Sequence, residues 1–142
     1  MRDEIDEVLG ALARDLVGEQ VIGLVASDTD RYMGSAVGSG QCVAFVQAAA
    51  GAPNTGQWSQ GPVVRGNNTI PAGSVIATFQ DGQYKNKTNG DSHAAIYLGQ
   101  NDEGIFVRDQ WKGQPVHERL IRFQGGGAKP VNDGDAYALV VA

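Results

Sequence analysis

The sequence predicts an α+β fold, one helix near the front of the domain followed by an antiparallel sheet. Three observations carry this. One short Ala-rich apolar run, residues 41–50, lies between glycines. Five apolar runs follow residue 73, each bounded by Gly, Asn, Asp or Pro. Strands and helices do not alternate, and no segment repeats, so a parallel βαβ sheet is not expected.

The elements follow in order. Residues 1–26 form a segment of different character, read as an N-terminal helical piece that packs on or flanks the domain that follows. Ile5, Val8, Leu9, Leu12, Leu16 and Val17 recur at helical spacing, and acidic residues crowd the first turn. Val21, Ile22, Leu24 and Val25 continue it, extended or helical. Residues 27–142 are read as a single domain. Ser27 to Gly40 is polar and turn-rich. Gln41–Ala50 reads as a buried helix, punctuated by Ser39-Gly40 before it and Gly51 after it. Residues 52–72 read as a long surface loop carrying Trp58. Strands are expected at Ser74–Phe79, His93–Leu98, Gly104–Trp111, Val116–Phe123 and Ala136–Val141, with a hairpin turn at Asn101–Gly104.

The chain has 142 residues, one ordinary domain, and is 42% hydrophobic with 20 glycines. Its net charge of −5 disfavours nucleic acid, which needs a basic footprint. No apolar stretch is long enough to span a bilayer. The acidic start, with no apolar run behind it, predicts no Sec-type signal peptide. One cysteine excludes an internal disulfide and the common structural zinc sites. A buried thiol, an intermolecular disulfide or a nucleophile remain.

The surroundings of Cys42 bear on that choice. Gly38-Ser39-Gly40-Gln41 delivers it to the first turn of a helix. There the helix dipole lowers a thiol pKa, and unpaired N–H groups can hold an oxyanion. The competing role is a small apolar residue filling a packing gap. His93 opens an apolar strand and shares its face with Ala95 and Tyr97, and the small Ala residues beside it leave room for a Cys-bearing helix. A hairpin at Asn101–Gly104 would bring Asp109 beside His93 to orient its ring; Gln110, on the opposite face, is the competing orienter. His117 sits among alternating polar residues and receives no catalytic role. Tyr32, Trp58 and Trp111 are candidates to line a groove for a sugar or peptide, with core packing as the alternative.

Gly40-Gln41-Cys42, followed by Val43-Ala44-Phe45-Val46, resembles the CHAP version of the NlpC/P60 nucleophile motif. Ser92-His93-Ala94-Ala95-Ile96-Tyr97 resembles that family's His strand. Gly38–Gln47, Ile76–Phe79, His93–Gln100, Val107–Trp111 and Ile121–Gly125 together resemble the single-domain amidase effectors of type VI secretion systems, over about residues 36–142. The resemblance implies a papain-like fold and no metal or other cofactor. It implies Cys42, His93 and Asp109 as catalytic residues, and hydrolysis of an amide in the stem or cross-link of peptidoglycan. It also implies injection into a rival's periplasm and a cognate immunity protein that plugs the site. Alternatives are a phage-type lysin, a protein-cleaving cysteine peptidase and a non-catalytic wall-binding module. The motif departs from the usual Asp-Cys-Ser-Gly of NlpC/P60 enzymes, having Gln41-Cys42-Val43-Ala44 instead, and the third strand of CHAP enzymes often carries Glu and Asn where Asp109 stands.

Overall fold

The computed structural model describes residues 23–142. Residues 1–22 of the expected N-terminal helical segment, 1–26, lie outside them, and residues 23–26 are not helical. One α-helix, α1 (Cys42–Ala50), packs on a six-stranded antiparallel sheet. The strands are β1 (Ser59–Val63), β2 (Val75–Thr78), β3 (Ala94–Gln100), β4 (Gly104–Trp111), β5 (Gln114–Arg122) and β6 (Tyr137–Val141). The architecture is α+β, as the sequence predicts.

At nine residues α1 is too short to persist alone. Phe45 and Val46 hold it, both fully buried on the sheet, each contributing about 1.5–3 kcal/mol. Gly51 ends it in the left-handed conformation, its N–H donating to the Gln47 carbonyl.

The strands run in the order β1-β6-β2-β3-β4-β5. From β2 to β5 the chain is the expected meander. The last strand then crosses back and pairs with both β2 and β1. A simple meander would have placed it beside β5, and residues 52–72 were expected to be loop throughout. In fact β1 lies inside that segment, with a register shift between Gln60 and Val63. Pro62 and two glycine-flanked polar residues hide it from a search for apolar alternation.

Both faces of the sheet are covered, which is why β2 is buried along its whole length and reads as an unbroken apolar run. On one face α1 and Trp58 meet Val75, Ala77, Ala94 and Ile96. On the other, Val64 and Ile70 from the loop after β1 meet Ile76, Ala95, Tyr97, Val107 and Tyr137. The helix therefore lies on the Ala94 and Ile96 face, not on the Ala95 and Tyr97 face expected for it. The small side chains of Ala77 and Ala94 permit its approach. Residues 24–26 add an extended piece: Val25 bridges Ser74, and the Ala26 N–H donates to the Gly73 carbonyl at 2.7 Å.

Candidate active site

Gly40 (φ 86°) turns the chain into α1 in a conformation that disfavours other residues. Gln41 occupies the N-cap in extended geometry and makes no capping side-chain bond. Cys42 is thus the first helical residue, where backbone N–H groups lack intrahelical partners. Gln110 anchors this loop. Its Oε1 accepts from the Val37 N–H at 2.8 Å, and its Nε2 donates to the Val37 and Gln41 carbonyls, both at 2.8 Å.

His93 lies one residue before β3 and is 3% exposed. Thr78 holds its backbone from both sides: the His93 N–H donates to Thr78 Oγ1 at 3.0 Å, and the Thr78 N–H donates to the His93 carbonyl at 3.0 Å. The imidazole Nε2 is 2.7 Å from Asp109 Oδ2. Asp109 is fully buried. That leaves Nδ1 as the ring nitrogen for Cys42, with the Ala94 N–H also near enough to favour the thiolate. Cys42 and His93 meet over the end of the sheet, reached from opposite faces.

The charges are coupled. Burial raises the Cys42 pKa, but the hydrogen bond and charge of His93, helped by Tyr84 and the Ala94 N–H, bring it below its ordinary value. Burial disfavours the His93 imidazolium, but Asp109 and Cys42 together raise its pKa. Burial opposes ionisation of Asp109 as well, and His93 with Arg119 overcomes it, so the carboxyl stays ionised below its usual range. All three directions favour a thiolate–imidazolium pair backed by a carboxylate.

Three contributors had no role in the sequence reading. Tyr84 places its hydroxyl 3.6 Å from Cys42 Sγ. Burial and the neighbouring thiolate raise its pKa, so it remains a proton donor. Arg119 Nε donates to Asp109 Oδ2 at 2.9 Å, while its other nitrogens reach Asn132 Oδ1 and the Val131 carbonyl. His117 Nε2 stands 3.0 Å from Asp109 Oδ1. The register explains the last two. Asp109 pairs directly with His117 across β4 and β5, and Arg119 shares that face two residues on. The two-residue turn Lys112-Gly113 was the available signal.

Of the aromatic candidates, Trp111 lines the cavity over Cys42 and packs edge-on to His93, with centroids 6.2 Å apart. The Arg119 guanidinium sits over its ring. Trp58 is buried in the helix-side core, its Nε1 donating to the Pro53 carbonyl, and meets the site only through Tyr84, 4.8 Å from ring to ring. Tyr32 packs edge-on against Phe45, its hydroxyl donating to the Ala48 carbonyl at 3.3 Å. The cavity measures about 940 Å³ and also takes in Gln41, Asn86, Lys87, Lys112 and Asn132. Among the described residues no three metal-ligating side chains converge.

The comparisons with known proteins bear on the family and the fold. Residues 17–140 match the family described as domesticated amidase effector 2. A Salmonella typhi protein named type VI secretion amidase effector 2 is 37% identical over 112 residues, covering 70% of this chain and 84% of its own. An Ixodes scapularis protein named domesticated amidase effector 2 is 37% identical over 134 residues, covering 84% and 91%. The solved structure of a type 6 secretion amidase effector 2 superposes with a TM-score of 0.75 at 35% identity, over 82% of this chain and 93% of that one. A helix packed on an antiparallel sheet is thus the shared papain-like frame, and the chain belongs to the domesticated amidase effector 2 family.

Proposed function

We propose that this protein is a cysteine amidase that hydrolyses an amide in the peptide stem or cross-link of bacterial peptidoglycan, as an antibacterial effector, with Cys42 as nucleophile, His93 as base and acid, and Asp109 as orienter. The observation that carries the assignment of residues is the chain of contacts from helix start to carboxylate: thiol, imidazole, then Asp109 at 2.7 Å.

The Cys42 thiolate attacks the amide carbonyl carbon. The oxyanion that forms is held by the Cys42 backbone N–H, with the Tyr84 hydroxyl as a second donor beside the sulfur. His93 then gives its proton to the departing amine, and the C–N bond breaks to leave a thioester. Water, deprotonated by His93, attacks that thioester and releases the acid and the free thiolate. Asp109 keeps the ring turned towards Cys42 and stabilises its charged form throughout.

Both relatives are named amidase effectors, which supports the reaction class, and the bacterial one is named for type VI secretion. Delivery by that machinery into the periplasm of a target cell, and a cognate immunity protein covering the groove, are the partners this reading brings with it.

Mass spectrometry of purified peptidoglycan fragments tests it. Wild type converts a fragment into two products whose masses sum to the substrate plus one water. Cys42→Ala slows this by about a thousandfold or more. Intact fragments after incubation with reduced wild type would sink the amidase reading.

A further inference from the structure

The cavity over Cys42 has a charge unlike that of the molecule around it. The chain carries 16 acidic and 11 basic residues, yet no Asp or Glu lines the cavity, while Lys87 and Lys112 both do. Several other cations of the described residues have carboxylate partners: Arg65 with Asp135, Arg108 with Asp30 and Glu118, Arg119 with Asp109, Arg122 with Glu103; Arg31 and Lys85, which pair with Tyr32 and Gln83 instead, lie outside the cavity. The acid next in sequence to the cavity wall, Asp91, is tied to Lys129 at 3.5 Å. Among the described residues neither Lys87 nor Lys112 has a carboxylate within ion-pair distance. Lys112 donates only to the Ser39 carbonyl, at 3.2 Å, on the loop that leads to Cys42. Lys87 comes from a different segment, the loop between β2 and β3. Apart from Cys42 and His93, whose opposite charges offset each other, the remaining polar lining residues, such as Gln41, Gln47, Asn86 and Asn132, are neutral.

A protein with net negative charge repels an acidic ligand at long range unless its binding cleft reverses the local field. Two ammonium groups on separate loops, without a carboxylate partner among the described residues, together with the start of α1, favour such a reversal. Holding them unpaired costs the fold nothing in burial, since both are exposed, and leaves them free for a ligand anion.

We infer that the groove selects peptides bearing a free carboxylate near the scissile amide, and that Lys87 and Lys112 bind that carboxylate. The inference rests on the amidase reading and narrows its substrate to acidic peptides. Both lysines act in binding, not in the bond-breaking steps, so their signature is in KM.

The test compares each peptidoglycan fragment with the same fragment after its free carboxylates are converted to carboxamides, using wild type, Lys87→Gln, Lys112→Gln and the double variant. Wild type should prefer the acid form by about fivefold or more in kcat/KM, the scale of one well-placed charge contact. Each Gln variant should raise KM by about that factor with kcat little changed, the double variant should lose the preference, and Lys→Arg at either position should restore it. Added salt should raise the wild-type KM and leave that of the double variant flatter. If wild type cleaves acid and amide forms alike, or the double variant keeps the preference, the lysine inference is overturned while the amidase reading stands. If wild type cleaves neither form, both fall together.

Discussion

Asp109 and Gln110 are neighbours on β4, and they face opposite sides of the sheet. Gln110 points to the helix side, where it ties down Val37 and Gln41 and thereby the start of α1. Asp109 points to the other side, where it meets His93, Arg119 and His117. One peptide unit thus supports both halves of the candidate dyad, the nucleophile through an uncharged amide and the histidine through a carboxylate. The two supports differ in kind. Backbone groups have fixed charge and polarity, so an amide with a donor and an acceptor satisfies them at any pH. An imidazole changes charge during the reaction, so its support must be an anion that stays ionised.

Asp109→Ala should do the most damage. It leaves the buried imidazole and the Arg119 guanidinium without their counter-charge, at about 3 kcal/mol of stability, and kcat should fall by about a hundredfold or more as His93 loses its orientation. Thermal unfolding and steady-state rates measure the two parts. Asp109→Asn sharpens the point by keeping a hydrogen-bond acceptor and removing the charge. The wild-type pH–rate profile should be a bell. Its acid limb is loss of the thiolate, at a pH below the ordinary thiol range, and its alkaline limb is loss of the imidazolium, at a pH above the ordinary imidazole range. A raised folded-state histidine pKa depends on its carboxylate. Asp109→Asn should therefore move the alkaline limb to lower pH, narrowing the bell from above. An unmoved limb would separate Asp109 from His93 function.

Gln110→Leu attacks the other side. It orphans backbone groups of Val37 and Gln41, at about 2 kcal/mol. With the Cys42 loop loosened, kcat/KM should drop by about tenfold while both pH limbs stay in place. A shifted alkaline limb in this variant would erase the distinction between the two supports.

Tyr84→Phe should have the smallest effect. The ring keeps its packing against Trp58 and Phe79, so stability changes little. The lost hydroxyl should slow turnover by about fivefold and move the acid limb to higher pH, because the thiolate loses a donor. A rate equal to wild type would leave the hydroxyl with no part in the reaction.

Much of this site was legible in the linear order of residues. A cysteine between a glycine turn and an Ala-rich run is a local statement, because helix starts are set by neighbouring residues. The His93 strand and the Asn101–Gly104 hairpin are equally local, and period-two alternation then put Asp109 and Gln110 on opposite faces. What escaped was non-local. Strand β1, Ser-Gln-Gly-Pro-Val, shows no apolar alternation and takes its place from pairing with β6, some 80 residues away in the chain. Tyr84 sits in a turn-rich loop, and nothing near it in sequence shows that it will stand over Cys42.

The face on which α1 packs was of the same kind. Alternation in β3 allowed either side, and the choice fell to Ala77 and Ala94, small residues from two strands that jointly make the space for Phe45 and Val46. Trp58 and Tyr32 were drawn into that same packing, which apolar area favours over exposure in a groove. Local propensity and spacing therefore settled the fold class, the helix that bears Cys42 and the strand that follows His93. Long-range pairing and the filling of space settled which face carries the helix, which aromatic stays in the groove, and how Arg119 and His117 come to stand around Asp109, since those contacts form only when distant segments close on one another.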